Sequence, residues 1–429
     1  MKTLHSASVS SFGGLNFVIE EILRMKVDRL VNGALPPMGS QSRYSWFDIF
    51  MSYWSVFFCG GDCAEDLSIN MKSGLEKNPF INIPSPDRVL SRIKSLADVP
   101  QSFGSERGGR EHRFSLADKM NRLNLQLLSL LPCFEKQGVV LDYDNTLIFN
   151  EKSDAEFTYK KAKGYCPGVG MIGRHIVYVE NRNGSSSPHV LQHETFDRMR
   201  NLLMEFGISV AAIRADSASY THDIIKSMEN FSSLIYVRAR MTEALERSVA
   251  SITEWKEVPA ATELLRGSTV FTPFARHARG NRAQSESLKE YRIVVTKEKR
   301  KDGQINLFTG EACNYSVILT NDFEKSDDEV VVFYNARGGE EREFDEVKND
   351  FGWNKLPFSK LEENTVFLIL MAMCKNLYVH LIQKFSEKIK CLSPNFRIKK
   401  FIFRFICVPA KWVESGRVKR LRIYSSRFG

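Results

Sequence analysis

The residues with the most chemistry to offer are Tyr334, Arg337, Glu341 and Lys348, spaced by three, four and seven positions. On one continuous helix, at about 100° per residue, they fall within an arc of roughly 60°. Such a face presents a carboxylate flanked by two cations and a phenol. The carboxylate can hold a metal, the cations can hold phosphates, and the phenol can donate to a phosphate oxygen or stack on a base. The same spacing also describes a solvated helix face with ordinary Glu/Arg pairs. Two further acids stand at the ends of apolar runs: Asp144 after Val139, Val140 and Leu141, and Asp216 after residues 208–214. Carboxylates converging from separate elements can hold two Mg²⁺ ions about 4 Å apart and stabilise both oxygens of an in-line phosphoryl transfer. Taken singly, each acid is more often a turn or cap residue.

The elements that must position these acids alternate. A buried strand over 138–144 is followed by strand patterns near 157–163 and 175–179, a helix over 191–206, a strand over 208–214, a helix over 222–228 and a strand over 233–237. That rhythm predicts an α/β sheet with acids at strand ends. Residues 241–325 break it with a basic loop over 266–282, strands over 291–296 and 315–320, and a hairpin-like turn ending at Gly303; they read as a β-rich insertion. The helix bearing Glu341 follows, then an apolar helix over 364–385.

Residues 15–97 read as helical, with a strongly aromatic stretch over 44–58. Ser85 can cap a helix with Pro86 in its first position. That helix carries Arg88, Arg92 and Lys94, and fits either a helix-turn-helix reader or an ordinary surface helix. Residues 100–112 look like a linker. From residue 390 onward the chain has one acid, Glu414, against many cations, Lys399, Lys400, Lys419 and Arg420 among them, as a phosphate-binding surface or a solvated tail would.

The 429 residues, 43% hydrophobic and 26% charged, suffice for a large core and two to four domains. The formal charge of +9 points to a polyanionic partner. Of the eight cysteines only Cys59 and Cys63 are closely spaced. No second pair stands at zinc-ligand spacing, so reduced thiols in a cytosolic chain are expected. Residues 1–14 are polar, unlike a secretory leader, and the longest apolar run, 366–374, is too short to span a bilayer.

The run through Asp142, Tyr143, Asp144, Asn145 and Thr146 is similar to the nucleophile strand of haloacid-dehalogenase-type phosphatases, and Val317–Asn321 to their second motif. The order then fails, because Asp327 and Asp328 follow Thr320 too closely to leave room for a Lys motif and another strand.

Tyr334, Arg337, Glu341 and Lys348 stand in the Y-(2)-R-(3)-E-(6)-K spacing of bacterial insertion-sequence DDE transposases. The chain resembles the insertion sequence four superfamily, and within it the thirteen-eighty-like group, through Trp353, Pro357 and Asn364 and through the blocks at 141–146, 213–217, 60–62 and 84–85. This resemblance implies a ribonuclease-H-like catalytic core interrupted by the β-rich insertion, with a helical N-terminal DNA-binding region. The divisions are 1–112 for end binding, 113–240 and 326–385 for the core, 241–325 for the insertion and 386–429 for a basic tail.

The resemblance also implies cleavage at transposon ends and strand transfer into target DNA with two Mg²⁺ ions, Mn²⁺ being able to substitute. The catalytic and metal-holding triad maps onto Asp144, Asp216 and Glu341. Asp144 is preferred to Asp142 because the family's Asp-x-Thr pattern falls on Asp144 and Thr146. Tyr334, Arg337 and Lys348 map to DNA phosphates near the cleaved end. Arg88 and Arg92 are expected to read the terminal inverted repeats. Trp255 is expected either to stack on an unpaired base or to sit in the core. Lys399, Lys400, Lys419 and Arg420 are expected to clamp phosphates. The implied partner is double-stranded DNA, bound by a homodimer in a synaptic complex in the bacterial cytoplasm at the nucleoid, without a membrane. A non-catalytic, repressor-like relic is the alternative. Gly338 and Gly339 fall inside the signature, and each lowers helix stability by about 1 kcal/mol relative to Ala.

Overall fold

The computed structural model describes residues 9–104, 109, 111–258, 261–273, 289–305, 310–416 and 418–425. Helices α1 (Leu15–Arg24), α2 (Val27–Ala34), α3 (Trp46–Phe58), α4 (Lys72–Leu75) and α5 (Pro86–Lys94) come first. Ser45 and Asp48 form a reciprocal capping box that starts α3. Every residue of α3 is buried. Its aromatic side chains cover its whole circumference, so it needs neighbours on all sides. One neighbour is α12 (Leu361–Lys388), whose Leu370 carbonyl accepts from Trp54 Nε1 at 3.0 Å. By length and composition α12 could cross a membrane, but its apolar stretch is wholly buried within the protein. Apolar contacts run without a break from these helices through α12 into the sheet.

Strands β1 (Gln101–Gly104) and β2 (Glu111–Ser115) form a hairpin where the sequence reads as linker, and α6 (Asp118–Leu130) follows. The centre of the sheet is β3 (Val139–Asn145). Its alternation sets Val139, Leu141 and Tyr143 on one buried face and Asp142 and Asp144 on the other. Three short strands, β4 (Ile148–Phe149), β5 (Glu156–Phe157) and β6 (Lys163–Tyr165), form a small separate sheet, so the single strand expected over 157–163 is in fact a turn between β5 and β6. The main sheet resumes with β7 (Gly168–Ile172) and β8 (His175–Arg182). Gly168 is required here, since a Cβ would lie 2.1 Å from the Tyr143 hydroxyl.

Helix α7 (Gln192–Glu205) leads to β9 (Val210–Ala215), and α8 (His222–Phe231) to β10 (Leu234–Arg238). The order β8-β7-β3-β9-β10 has an antiparallel meander on one side of β3 and two parallel strands on the other. That order and those directions fit a ribonuclease-H-like core.

Residues 241–325 hold α9 (Glu243–Ala250) and strands β11 (Lys256–Val258), β12 (Ala261–Phe271), β13 (Tyr291–Lys299) and β14 (Cys313–Thr320). They do not stand apart. β14 pairs antiparallel with β10, and β13, β12 and β11 follow outward, so the sheet reaches eleven strands among the described residues. The basic loop expected from residue 266 is strand to Phe271, and Arg266 pairs with Asp328; Arg276, Arg279 and Arg282 lie outside the described residues.

The signature does not lie on one helix. α10 (Asp327–Asn335) ends in a tight 3₁₀ turn over Ala336–Gly338, and α11 (Gly339–Asp350) starts afresh. The interruption falls at the two glycines, whose weak helix propensity removes the reason for one unbroken cylinder. The C-terminal segment is not an extended tail either. It forms α13 (Ile398–Phe401) and a hairpin of β15 (Ala410–Ser415) and β16 (Val418–Ile423), docked on the N-terminal helices through Trp412 Nε1 to Asn16 Oδ1 at 3.0 Å.

Candidate active site

Strand β3 runs parallel to β9 in a register that sets Asp142 beside Arg214 and Tyr143 beside Ala215. Asp144 and Asp216 are the next positions along, so two carboxylates meet where both strands end. Burial pushes the Asp144 carboxyl up to about 6; Arg337 opposes that shift and the charge of Asp216 adds to it. Asp216 caps the short 3₁₀ turn Ser217–Ser219, accepting from Ala218 N at 3.0 Å. Arg337 Nη2 lies 2.8 Å from Asp144 Oδ2 and donates to the Tyr143 carbonyl at 3.3 Å. Asp216, Ser217, Arg238, Tyr334 and Arg337 line a cleft of about 290 Å³.

Asp142 is occupied differently. Arg214 holds both of its oxygens, at 2.6 and 2.5 Å, and donates onward to the Phe333 carbonyl. A carboxylate locked in this way under the sheet is a structural anion, not a nucleophile.

The remaining signature residues take unequal places. Tyr334 is buried, and its hydroxyl donates to the Ala215 carbonyl at 3.2 Å while the Arg238 guanidinium sits 5.1 Å over its ring. It therefore braces β9 next to Asp216 and does not reach out to a phosphate, because its donor is already used. Lys348 is half-buried within electrostatic range of Asp144 and Cys166; burial lowers its pKa and Asp144 counters that. Glu341 is exposed in the first turn of α11, and among the described residues its carboxylate does not join Asp144 and Asp216 within 4.8 Å. It does share a helix face with Lys348, two turns on. The structure thus brings Asp144, Asp216, Arg337 and Lys348 into one electrostatic group, which Glu341 does not join.

Two strand-end carboxylates are hard oxygen donors of the kind that suits Mg²⁺ or Mn²⁺. The guanidinium of Arg337 already places a positive charge against one of them. The donor set fits a divalent cation, with the third carboxylate outside the group.

The other expected site residues line other surfaces. Arg88 is exposed and Arg92 half-buried on α5, whose start Ser85 caps, and both line a 360 Å³ cleft with Arg43 and Tyr44. Lys399 pairs with Asp350 at 2.9 Å, Lys400 lies 6.0 Å over the Phe396 ring, and Lys419 and Arg420 are exposed on β16. Trp255 is half-buried, donates to the Ile252 carbonyl at 3.1 Å, and carries the Lys297 ammonium 5.1 Å over its ring. It packs partly buried against the core.

Sequence reading missed Arg238, a cation at the end of β10 facing the cleft. The available signal was its position: it closes the third parallel strand, as Asp144 and Asp216 close the other two.

A family model for the transposase DDE domain, group 1, matches residues 7–427. Among solved structures the chain is similar to a cryo-EM structure of the piggyBac transposase synaptic complex with hairpin DNA, at 11% identity, over 91% of this chain and 77% of that chain, with a TM-score of 0.43. No curated protein matches the chain.

Proposed function

We propose that this chain, which belongs to the transposase DDE domain group 1 family, cuts DNA at the ends of a mobile element and joins those ends to target DNA. The observation that carries the reading is the adjacency of Asp144 and Asp216 at the carboxyl ends of the parallel strands β3 and β9. That edge of an open α/β sheet is where ligands sit. Two divalent ions held there supply Lewis-acid polarisation of the scissile phosphate and an activated hydroxyl as nucleophile. Asp144 and Asp216 are the residues that hold them, with Glu341 as third carboxylate once the start of α11 closes on the pair. Arg337 and Lys348 meet the phosphate oxygens, and Tyr334 keeps Asp216 in place from beneath.

The spacing of Tyr334, Arg337, Glu341 and Lys348 supports placement in the insertion sequence four superfamily, thirteen-eighty-like group. Arg88 and Arg92, beside Arg43, suit a surface that reads terminal repeats, while Lys400, Lys419 and Arg420 suit phosphate contacts common to all sequences. The extended sheet of residues 241–325 corresponds to the insertion of such enzymes. A homodimer on two DNA ends, acting at the bacterial nucleoid, completes the reading.

The test is cleavage of a DNA fragment that carries the gene with its flanks. Protein with Mg²⁺ should cut at the two borders of inverted repeats bracketing the reading frame. Flanks without inverted repeats, left uncut in Mg²⁺ and Mn²⁺ alike, reject the reading.

A further inference from the structure

The small sheet of β4, β5 and β6 is inserted between β3 and β7, and its stems leave the main sheet at the end where Asp144 sits, opposite Val169. Its outer side carries two aromatic residues far more open than hydrophobic rings ordinarily are: Phe157, 64% exposed, and Tyr159, 62% exposed. Both line one groove of about 700 Å³, together with Thr158, Gly184 and Ser185. Cations accompany both rings. The Lys163 ammonium lies 5.9 Å from the Phe157 centroid and the Lys160 ammonium 5.6 Å from that of Tyr159. Lys161 follows in a left-handed conformation, with φ of 61°, that turns the chain back towards β6.

Among the described residues both rings stay largely exposed, and the one ion pair at their cations is Lys163 with the exposed Glu151 at 3.6 Å. A soluble chain gains by burying such rings, yet here they stay in water beside lysines. The Tyr159 phenol is also close enough to Asp144 and Asp216 for both carboxylates, with Cys166, to add to the upward shift that burial gives its pKa. Exposed aromatics interleaved with cations are what single-stranded nucleic acid binds, the rings stacking on bases and the cations meeting phosphates. Trp255 offers no such face, since Lys297 and Tyr315 already pack against it.

We propose that Phe157 and Tyr159, flanked by Lys160 and Lys163, form a platform that stacks an unpaired base of the DNA end and so holds the adjoining phosphate at Asp144 and Asp216. This rests on the DNA-cleaving reading of the acid pair for its purpose, but not for its detection. The occupant is the unpaired base of a frayed or distorted end. In a fully paired duplex every internal base is already stacked on both faces, and only the outer face of each terminal pair is open, so an unpaired base is the better fit to a two-ring platform.

The experiment measures binding in EDTA, so that cleavage plays no part. The probes are a blunt 30-mer duplex and the same duplex with two unpaired terminal nucleotides, one of them 2-aminopurine. Wild-type protein should prefer the forked probe by about 5- to 150-fold, the range that stacking of one base gives, and should quench its fluorescence. Phe157→Ala with Tyr159→Ala should abolish the preference and the quenching while leaving blunt-duplex affinity and thermal melting unchanged, because neither ring is packed. Tyr159→Phe should retain both, since the ring and not the hydroxyl does the stacking. The proposal is overturned if wild type shows no preference for the fork, or if the double variant keeps it. A parallel plasmid-nicking assay with Mg²⁺ separates the two readings: fork preference without nicking rejects the transposase reading and leaves the platform standing.

Discussion

Arg337 Nη2 sits 2.8 Å from Asp144 Oδ2, bridging the 3₁₀ turn inside the signature to the end of the central strand. The guanidinium stands against an acid that burial and Asp216 would otherwise keep protonated. It holds a positive charge at the place where the proposed chemistry needs one, and it fixes that charge to the backbone through the Tyr143 carbonyl.

The two acids of β3 should part company in a stability measurement. Asp144 titrates at about 6 when folded, above its ordinary value of 3.8. A raised pKa gives stability that is fully present below the unfolded value and is lost as pH rises through the folded one. Without divalent metal, Asp144→Asn should therefore match wild type near pH 4 and exceed it at pH 8 by up to about 3 kcal/mol, at 1.36 kcal/mol per unit. Arg214→Met should do the opposite and destabilise by about 3–5 kcal/mol, because it strands the buried Asp142 carboxylate. Urea unfolding at the two pH values reads both, and an Asp144→Asn protein less stable than wild type at pH 8 would refute the assignment.

Gly338 and Gly339 have φ of −56° and −61°, and a Cβ on either meets nothing within 4 Å. Alanine at both should stabilise the protein by about 1–2 kcal/mol in total by making the helix continuous. If α11 must move for Glu341 to join the acid pair, the same variant should cut DNA more slowly. Thermal melting and cleavage rate should then move in opposite directions.

Lys375 is wholly buried on α12, with its ammonium 2.6 Å from Glu343 and 2.5 Å from the Arg174 carbonyl. This contact ties α11 to the core helix α12. Lys375→Met should cost about 3–5 kcal/mol, since among the described residues Glu343 and Glu346 then keep only the more distant Arg174. A melting temperature within a degree of wild type would remove this anchor from the account of how α11 is held.

Neutralising Lys399, Lys400, Lys419 and Arg420 together should weaken binding to all DNA sequences alike. The slope of log affinity against log salt should flatten by about 2 to 4, at about 0.9 per phosphate contact. Lys399 should contribute least, because Asp350 already occupies it. An unchanged slope would place the DNA elsewhere.

The acid pair was legible in the sequence because strand alternation and strand ends are local properties. Asp144 and Asp216 each close an apolar run, and β8, α7 and β9 stand where the pattern put them, although the strand expected over 157–163 is a turn and β7 was not foreseen. The break at Gly338 was foreshadowed by the glycines, although the regular spacing of Tyr334, Arg337, Glu341 and Lys348 concealed it. Partners distant in sequence left no local trace. Glu180, Arg182 and Arg198 form a buried ion cluster behind β8, with Arg198 Nε 3.0 Å from Glu180, and nothing in the local pattern announces it. The pairing of β14 with β10 spans more than seventy residues, so the insertion read as a separate unit. The C-terminal cations hid a hairpin, because charge dominates the composition of 410–423 while its anchors, Trp412 to Asn16 and the backbone bridge of Ala410 with Ser10, are distant in sequence.

The most direct measurement is divalent-dependent cleavage of the gene's flanking DNA by four proteins: wild type, Asp142→Asn, Asp144→Asn and Asp216→Asn. Wild type should cut at the borders only with Mg²⁺ or Mn²⁺. Asp144→Asn and Asp216→Asn should bind the same DNA and cut it at least about 100-fold more slowly, the order of effect expected when a transition-state interaction is removed. Asp142→Asn should retain cleavage in the fraction that remains folded. Cleavage by Asp144→Asn at the wild-type rate, or its loss in Asp142→Asn alone, would contradict the placement of the active site at the ends of β3 and β9.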